Sequence, residues 1–78
     1  MSKRDETLII LIEECSEVIK ECSKIIRFGG DTEDLAKELG DLMCMIDIAT
    51  KNLDITSEEI EDAYHDKHIK LLTWSNII

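Results

Sequence analysis

Apolar residues recur along this chain every three or four positions, and nowhere do they alternate as a strand requires. From about Asp5 to Phe28, Leu8, Leu11, Cys15, Val18, Cys22 and Ile25 follow steps of 3-4-3-4-3, a heptad seam. Ile12, Ile19 and Ile26 form a second row beside it, so the apolar face is wider than contact with one helix needs. Gly29-Gly30 ends this helix, because glycine tolerates the left-handed backbone that follows a helix C-terminus. Asp31 is placed to cap the next helix, with Glu33 and Asp34 at the positive end of its dipole. That helix, 32–51, carries Leu35, Leu39, Leu42, Ile46, Ala49 and Leu53 in steps of 4-3-4-3-4. The short break between the two predicts an antiparallel hairpin. A third helix over 57–74 starts with a capping box of Thr56 and Glu59, flanked by Ile55 and Ile60 as a hydrophobic staple. Its apolar pattern, Ile60, Ala63, Tyr64, Leu71 and Leu72, is weaker.

The 78 residues make one all-α domain, 1–78. With 44% apolar and 35% charged residues, the chain is too apolar for disorder and too charged for a membrane protein. Its longest apolar run, Leu8 to Ile12, falls far short of the roughly 18 residues a spanning helix needs. The opening MSKRDET lacks the apolar stretch of a signal peptide, so a cytoplasmic location is expected. Eighteen acids against nine Lys and Arg give a net charge of −9, which repels nucleic acid and anionic membrane and argues against both as partners. Cys15, Cys22 and Cys44 are odd in number and form no CxxC pair, so reduced, small core residues are expected. A chain of this size buries only about 60% of its unfolded surface. Three helices with such wide stripes therefore predict a homodimer or homotetramer, in which two hairpins form a four-helix bundle. The alternative is a monomeric three-helix bundle.

The acids away from the seams form a pattern. Glu14 and Glu17 stand three apart on the first helix, and Glu38 and Asp41 repeat the spacing on the second. In a hairpin folded about Gly29-Gly30, residues whose numbers sum to about 59 lie level. Glu17 then falls level with Leu42, beside Asp41, and Glu21 with Glu38, while Glu14 lies one turn further from the bend. Four carboxylates converge, with Glu21 as a possible fifth. Like charges gathered in this way call for a cation, and an all-carboxylate set suits Mg²⁺ or Mn²⁺ rather than Zn²⁺. The plainer reading is a solvated acidic face, since a chain with 18 acids offers many such pairs.

Glu13-Glu14-Cys15-Ser16-Glu17 fits EExxE, and Glu38-Leu39-Gly40-Asp41 fits ExxD. On consecutive helices this resembles the signature of the MazG-like all-α nucleoside triphosphate pyrophosphohydrolases. LIEECSEVIK, the turn Arg27-Phe28-Gly29, and ELGDLMCMID are also similar to that family, over about residues 8–50. The compact length resembles phage-encoded forms. The resemblance implies Mg²⁺-dependent hydrolysis of a (deoxy)nucleoside triphosphate between the α and β phosphates, with Glu14, Glu17, Glu38 and Asp41 as metal-holding, catalytic residues. Mn²⁺ would substitute. Glu13 stays outside the set. The phosphoribosyl-ATP pyrophosphohydrolases share the fold and the bond cleaved, and are one alternative. A non-enzymatic acidic helical interaction module is another.

Phosphate charge also needs donors. Lys67 and Lys70 lie on one face of the third helix and are the expected substrate contacts, against the alternative of local pairing with Asp66 or Glu61. Lys20 and Lys24 are instead expected to pair with Glu17 and Glu21 on the helix surface. Trp74 is the candidate aromatic wall for a neighbouring subunit's site, or else core or interface filler; Phe28 is expected to pack the turn. His65 and His68 have no Cys or His partners in the pattern and are expected at the surface or partly buried.

Overall fold

A computed structural model describes residues 1–78 and contains three helices: α1 Lys3–Phe28, α2 Glu33–Asn52 and α3 Ser57–Trp74. α1 begins two residues earlier than its periodicity suggested. The hydroxyl of Ser2 accepts the backbone N–H of Asp5 at 3.0 Å and so caps the extra turn. Gly29 and Gly30 end it with φ of 76° and 109°, the backbone region for which glycine was expected. Asp31 does not itself cap α2. Thr32 holds the cap position without a side-chain bond, and the Asp31 carboxylate reaches over it to accept from the N–H of Glu33 at 3.1 Å. The reach works because Asp favours bonding a backbone N–H two residues on. Between α2 and α3 the turn passes through Asp54 at φ 56°, a left-handed position that short polar residues tolerate. The capping box of α3 is complete: Thr56 accepts from the N–H of Glu59, and the Glu59 carboxylate accepts from the N–H of Thr56.

α1 and α2 pack as an antiparallel hairpin. The predicted register is met far from the bend, where the Asn52 amide donates to the Thr7 hydroxyl at 3.0 Å. The seam itself differs from the one expected. On α1 the inward residues are Thr7, Leu11, Glu14, Val18, Glu21 and Ile25, in steps of 4-3-4-3-4. On α2 they are Leu35, Glu38, Leu42, Met45, Ala49 and Asn52. Half of each expected seam is retained. The other half is replaced by the residue one position earlier, and on α1 that row is wholly polar. Leu8, Cys15 and Cys22, and Leu39 and Ile46, are left exposed, as are all three free cysteines. The cysteines thus do not fill the core of the single chain, because the helices meet on the neighbouring row.

α3 barely touches the hairpin, and none of its residues is buried. An open cleft lined by Ile46, Thr50, Ser57 and Ile60 separates its start from α2. Only Thr7, Glu21, Met45 and Ala49 are buried in the whole chain. The radius of gyration is 14.8 Å, against about 11.5 Å for a compact domain of this length. Phe28 is 75% exposed at the turn, with the Arg27 guanidinium 5.2 Å from its ring centre, and so does not pack it.

Candidate metal centre

The polar half of the seam builds the site. A heptad interval brings a helix residue back to nearly the same face, so Thr7, Glu14 and Glu21 point in one direction, toward α2. Leu11, Val18 and Ile25 run beside them and hold α1 against Leu35, Leu42 and Ala49. The apolar row thus fixes the spacing at which the acids face one another. α2 supplies Glu38 from its inward side and Asp41 from the exposed edge.

Three carboxylates meet. Glu14, Glu38 and Asp41 each place an oxygen within 4.8 Å of the other two. Oε2 of Glu14 is buried and has no hydrogen-bond partner. An orphaned buried oxygen among anions is costly, and a cation is the simplest group that would satisfy it. The Glu38 carboxyl is raised above its ordinary value, first by partial burial and then by the charges of Asp41, Glu17, Glu14 and Glu21. The donors are carboxylates only, on two helices held at fixed register, which fits a hard divalent cation.

Glu17 lies beside the triad rather than within it. It is half-buried, its charge acts on Glu38, and Lys20 stands 3.9 Å from it. Glu21 is buried one turn on, with Lys24 at 3.3 Å. Glu13 points to solvent, and its backbone carbonyl accepts from the Ser16 hydroxyl. Lys67, Lys70 and Trp74 are all exposed on α3, away from this cluster. Lys67 shares a shallow hollow with Tyr64, His68 and Leu71. His65 and His68 are exposed, and the His65 ring meets Tyr64 edge-on at 5.6 Å. The apolar pattern gave no sign that Thr7 and Asn52 lock the open end of the hairpin. The signal was there as a polar residue at every seventh position, but a search for apolar periodicity passes over it.

A family model, the MazG nucleotide pyrophosphohydrolase domain, matches residues 3–71. The matched span takes in both acid-bearing helices and most of α3. No curated protein and no solved structure matches the chain significantly.

Proposed function

Because this chain belongs to the MazG nucleotide pyrophosphohydrolase family, we propose that it hydrolyses (deoxy)nucleoside triphosphates between the α and β phosphates in a divalent-metal-dependent reaction. The observation that carries the metal is the buried, partnerless Oε2 of Glu14, a residue whose carboxylate places an oxygen within 4.8 Å of Glu38 and Asp41. These three residues, with Glu17 beside them, would hold Mg²⁺ or Mn²⁺. When bound, such an ion neutralises phosphate charge and makes a water more acidic. Water adds to the α-phosphorus, the bridging oxygen departs with the outer phosphates, and the products are monophosphate, pyrophosphate and a proton. The acid row does the rest of the work by position: four carboxylates on two helices of fixed register keep the reacting end of the substrate in one place.

The working form is a homo-oligomer. A compact monomer of 8.9 kDa exposes about 4,800 Å², whereas this chain exposes 6390 Å². The excess is about 1,600 Å² per chain, well above the ~800 Å² that each partner buries in a standard interface. Ile12, Ile19 and Ile26 are 67%, 68% and 85% exposed in one continuous row. A second copy covering that row forms the four-helix bundle, and its α3 is the element free to bring Lys67, Lys70 and Trp74 toward the acid cluster.

The test is incubation with Mg²⁺ and a panel of ribo- and deoxynucleoside triphosphates, with the products resolved. Monophosphate and pyrophosphate are expected, with activity lost in EDTA and restored by Mg²⁺ or Mn²⁺. Orthophosphate with a diphosphate would place the attack on the wrong phosphorus. Activity unchanged by EDTA would remove the metal.

A further inference from the structure

Glu21 is the one charged residue among the four that are buried. It lies in the helix–helix seam, where an apolar residue would pack without desolvating a charge. Its single ion pair is with Lys24, whose Nζ is 3.3 Å from Oε1. The pairing expected for helix-surface neighbours is present, but Glu21 is not a surface residue. Its side chain is 11% exposed and that of Lys24 is 50% exposed. The neighbouring pair is looser: Lys20 and Glu17 are 3.9 Å apart, and neither partner is buried. A loose pair of that sort contributes little.

Glu14, Glu17, Glu21 and Lys24 follow one another on α1 in steps of 3-4-3, so one side of the helix carries three carboxylates and then an ammonium. Lys24 lies about 10 Å along the helix axis from Glu17 and about 15 Å from Glu14. It stands on the bend side of the cluster, where Glu21 restrains its stem.

We propose that Lys24 is a binding residue for the outer phosphates of the substrate, and that buried Glu21 is the positioning residue that aims its ammonium along the acid row. This rests on the pyrophosphohydrolase reading and adds a cation from the same chain to a site otherwise made of acids. A triphosphate whose α-phosphate end lies at Glu14, Glu38 and Asp41 needs positive charge at its other end. Lys24 is the lysine that already stands at the end of that row with its geometry fixed. Its side chain is half-exposed, and the ammonium, with three hydrogens, can donate to more than Glu21.

Lys24→Gln, Glu21→Gln and the double variant separate this role from simple neutralisation of Glu21. Lys24→Gln leaves a buried carboxylate unpaired, so it should melt earlier and show a raised KM. The double variant removes both charges and should recover the wild-type melting temperature. Its KM should stay raised roughly tenfold or more, the loss of one charge-assisted contact, with kcat changed little. Lys24→Arg should retain a near-normal KM. A double variant that recovers both melting temperature and KM would overturn the proposal, because the pair would then be structural only. Calorimetry with Mg²⁺ and inorganic tripolyphosphate gives a second measurement that needs no turnover. Weaker binding by the double variant supports Lys24 even if no nucleotide is cleaved, an outcome that would sink the hydrolase reading alone. Equal binding by wild type and double variant, or none by either, overturns it.

Discussion

Asp41 and Glu13 carry the same charge in different surroundings. Asp41 has an oxygen within 4.8 Å of Glu14 and Glu38, whereas Glu13 faces water. Asp41→Asn should lower turnover roughly 10²-fold or more, the scale of losing one electrostatic stabiliser of a transition state. Without metal the same variant should melt at or above the wild-type temperature, because one repulsion is gone. Its Mg²⁺-induced rise in melting temperature should shrink, since a ligand that binds only the folded state stabilises by mass action. Glu13→Gln should change neither. Equal behaviour of the two variants would make the acids a solvated face. Glu38 supplies a pH test. Its carboxyl is raised by burial and by its acidic neighbours, so the folded chain holds that proton more tightly than the unfolded one. Metal-free stability should therefore fall as pH rises from the ordinary carboxylate value through the raised one, and stay lowered above it. In EDTA, melting curves of Glu38→Gln across that window should be flatter than wild type; curves of equal slope would place the dependence elsewhere.

The helices differ in what holds them. α1 and α2 lean on each other, while α3 has no buried residue and relies on local bonds. Its capping box matters accordingly, and Thr56→Ala should cost about 1 kcal/mol of helix stability. Amide exchange should report this as faster exchange across Ser57–Trp74 with α1 and α2 unchanged. Uniform loss of protection in all three would mean that α3 is part of one cooperative unit. These elements were legible in the sequence because their boundaries are written in short-range chemistry. Thr56 with Glu59 set the start of α3, and Gly29-Gly30 set the bend. The start of α1 was less legible, because the Ser2 cap precedes the first apolar residue of the pattern. The acid triad was partly legible: spacing placed Glu14, Glu38 and Asp41 together but put Glu17 on equal terms, although it stands aside. Least legible was the seam. Two apolar rows and one polar row compete for the same hairpin contact, and apolar spacing alone ranks the row with Thr7, Glu14 and Glu21 last.

For the whole molecule, the exposed row of Ile12, Ile19 and Ile26 is the face that the proposed homo-oligomer would cover. Light scattering at micromolar concentration should give at least twice the 8.9 kDa chain mass. Ile19→Glu places a charge where a second copy would close, and should reduce the mass to one chain and lower the melting temperature. In a monomer the same change lies in water and should do almost nothing. If the wild type has the mass of two chains or more, an unchanged mass and melting temperature for Ile19→Glu would place the interface on another face; a wild-type mass of one chain would remove the assembly.

The wholly polar row of α1 has an evolutionary consequence. Thr7, Glu14 and Glu21 occupy positions where leucine would tighten the hairpin, and those same positions face Glu38, Met45 and Asn52 across the seam. In the proposed site, robustness and metal binding draw on the same row, so drift toward a more stable hairpin leads directly away from that chemistry. A lineage of this protein released from its function would be expected to fill that row with aliphatic residues first, ahead of any change on its surface.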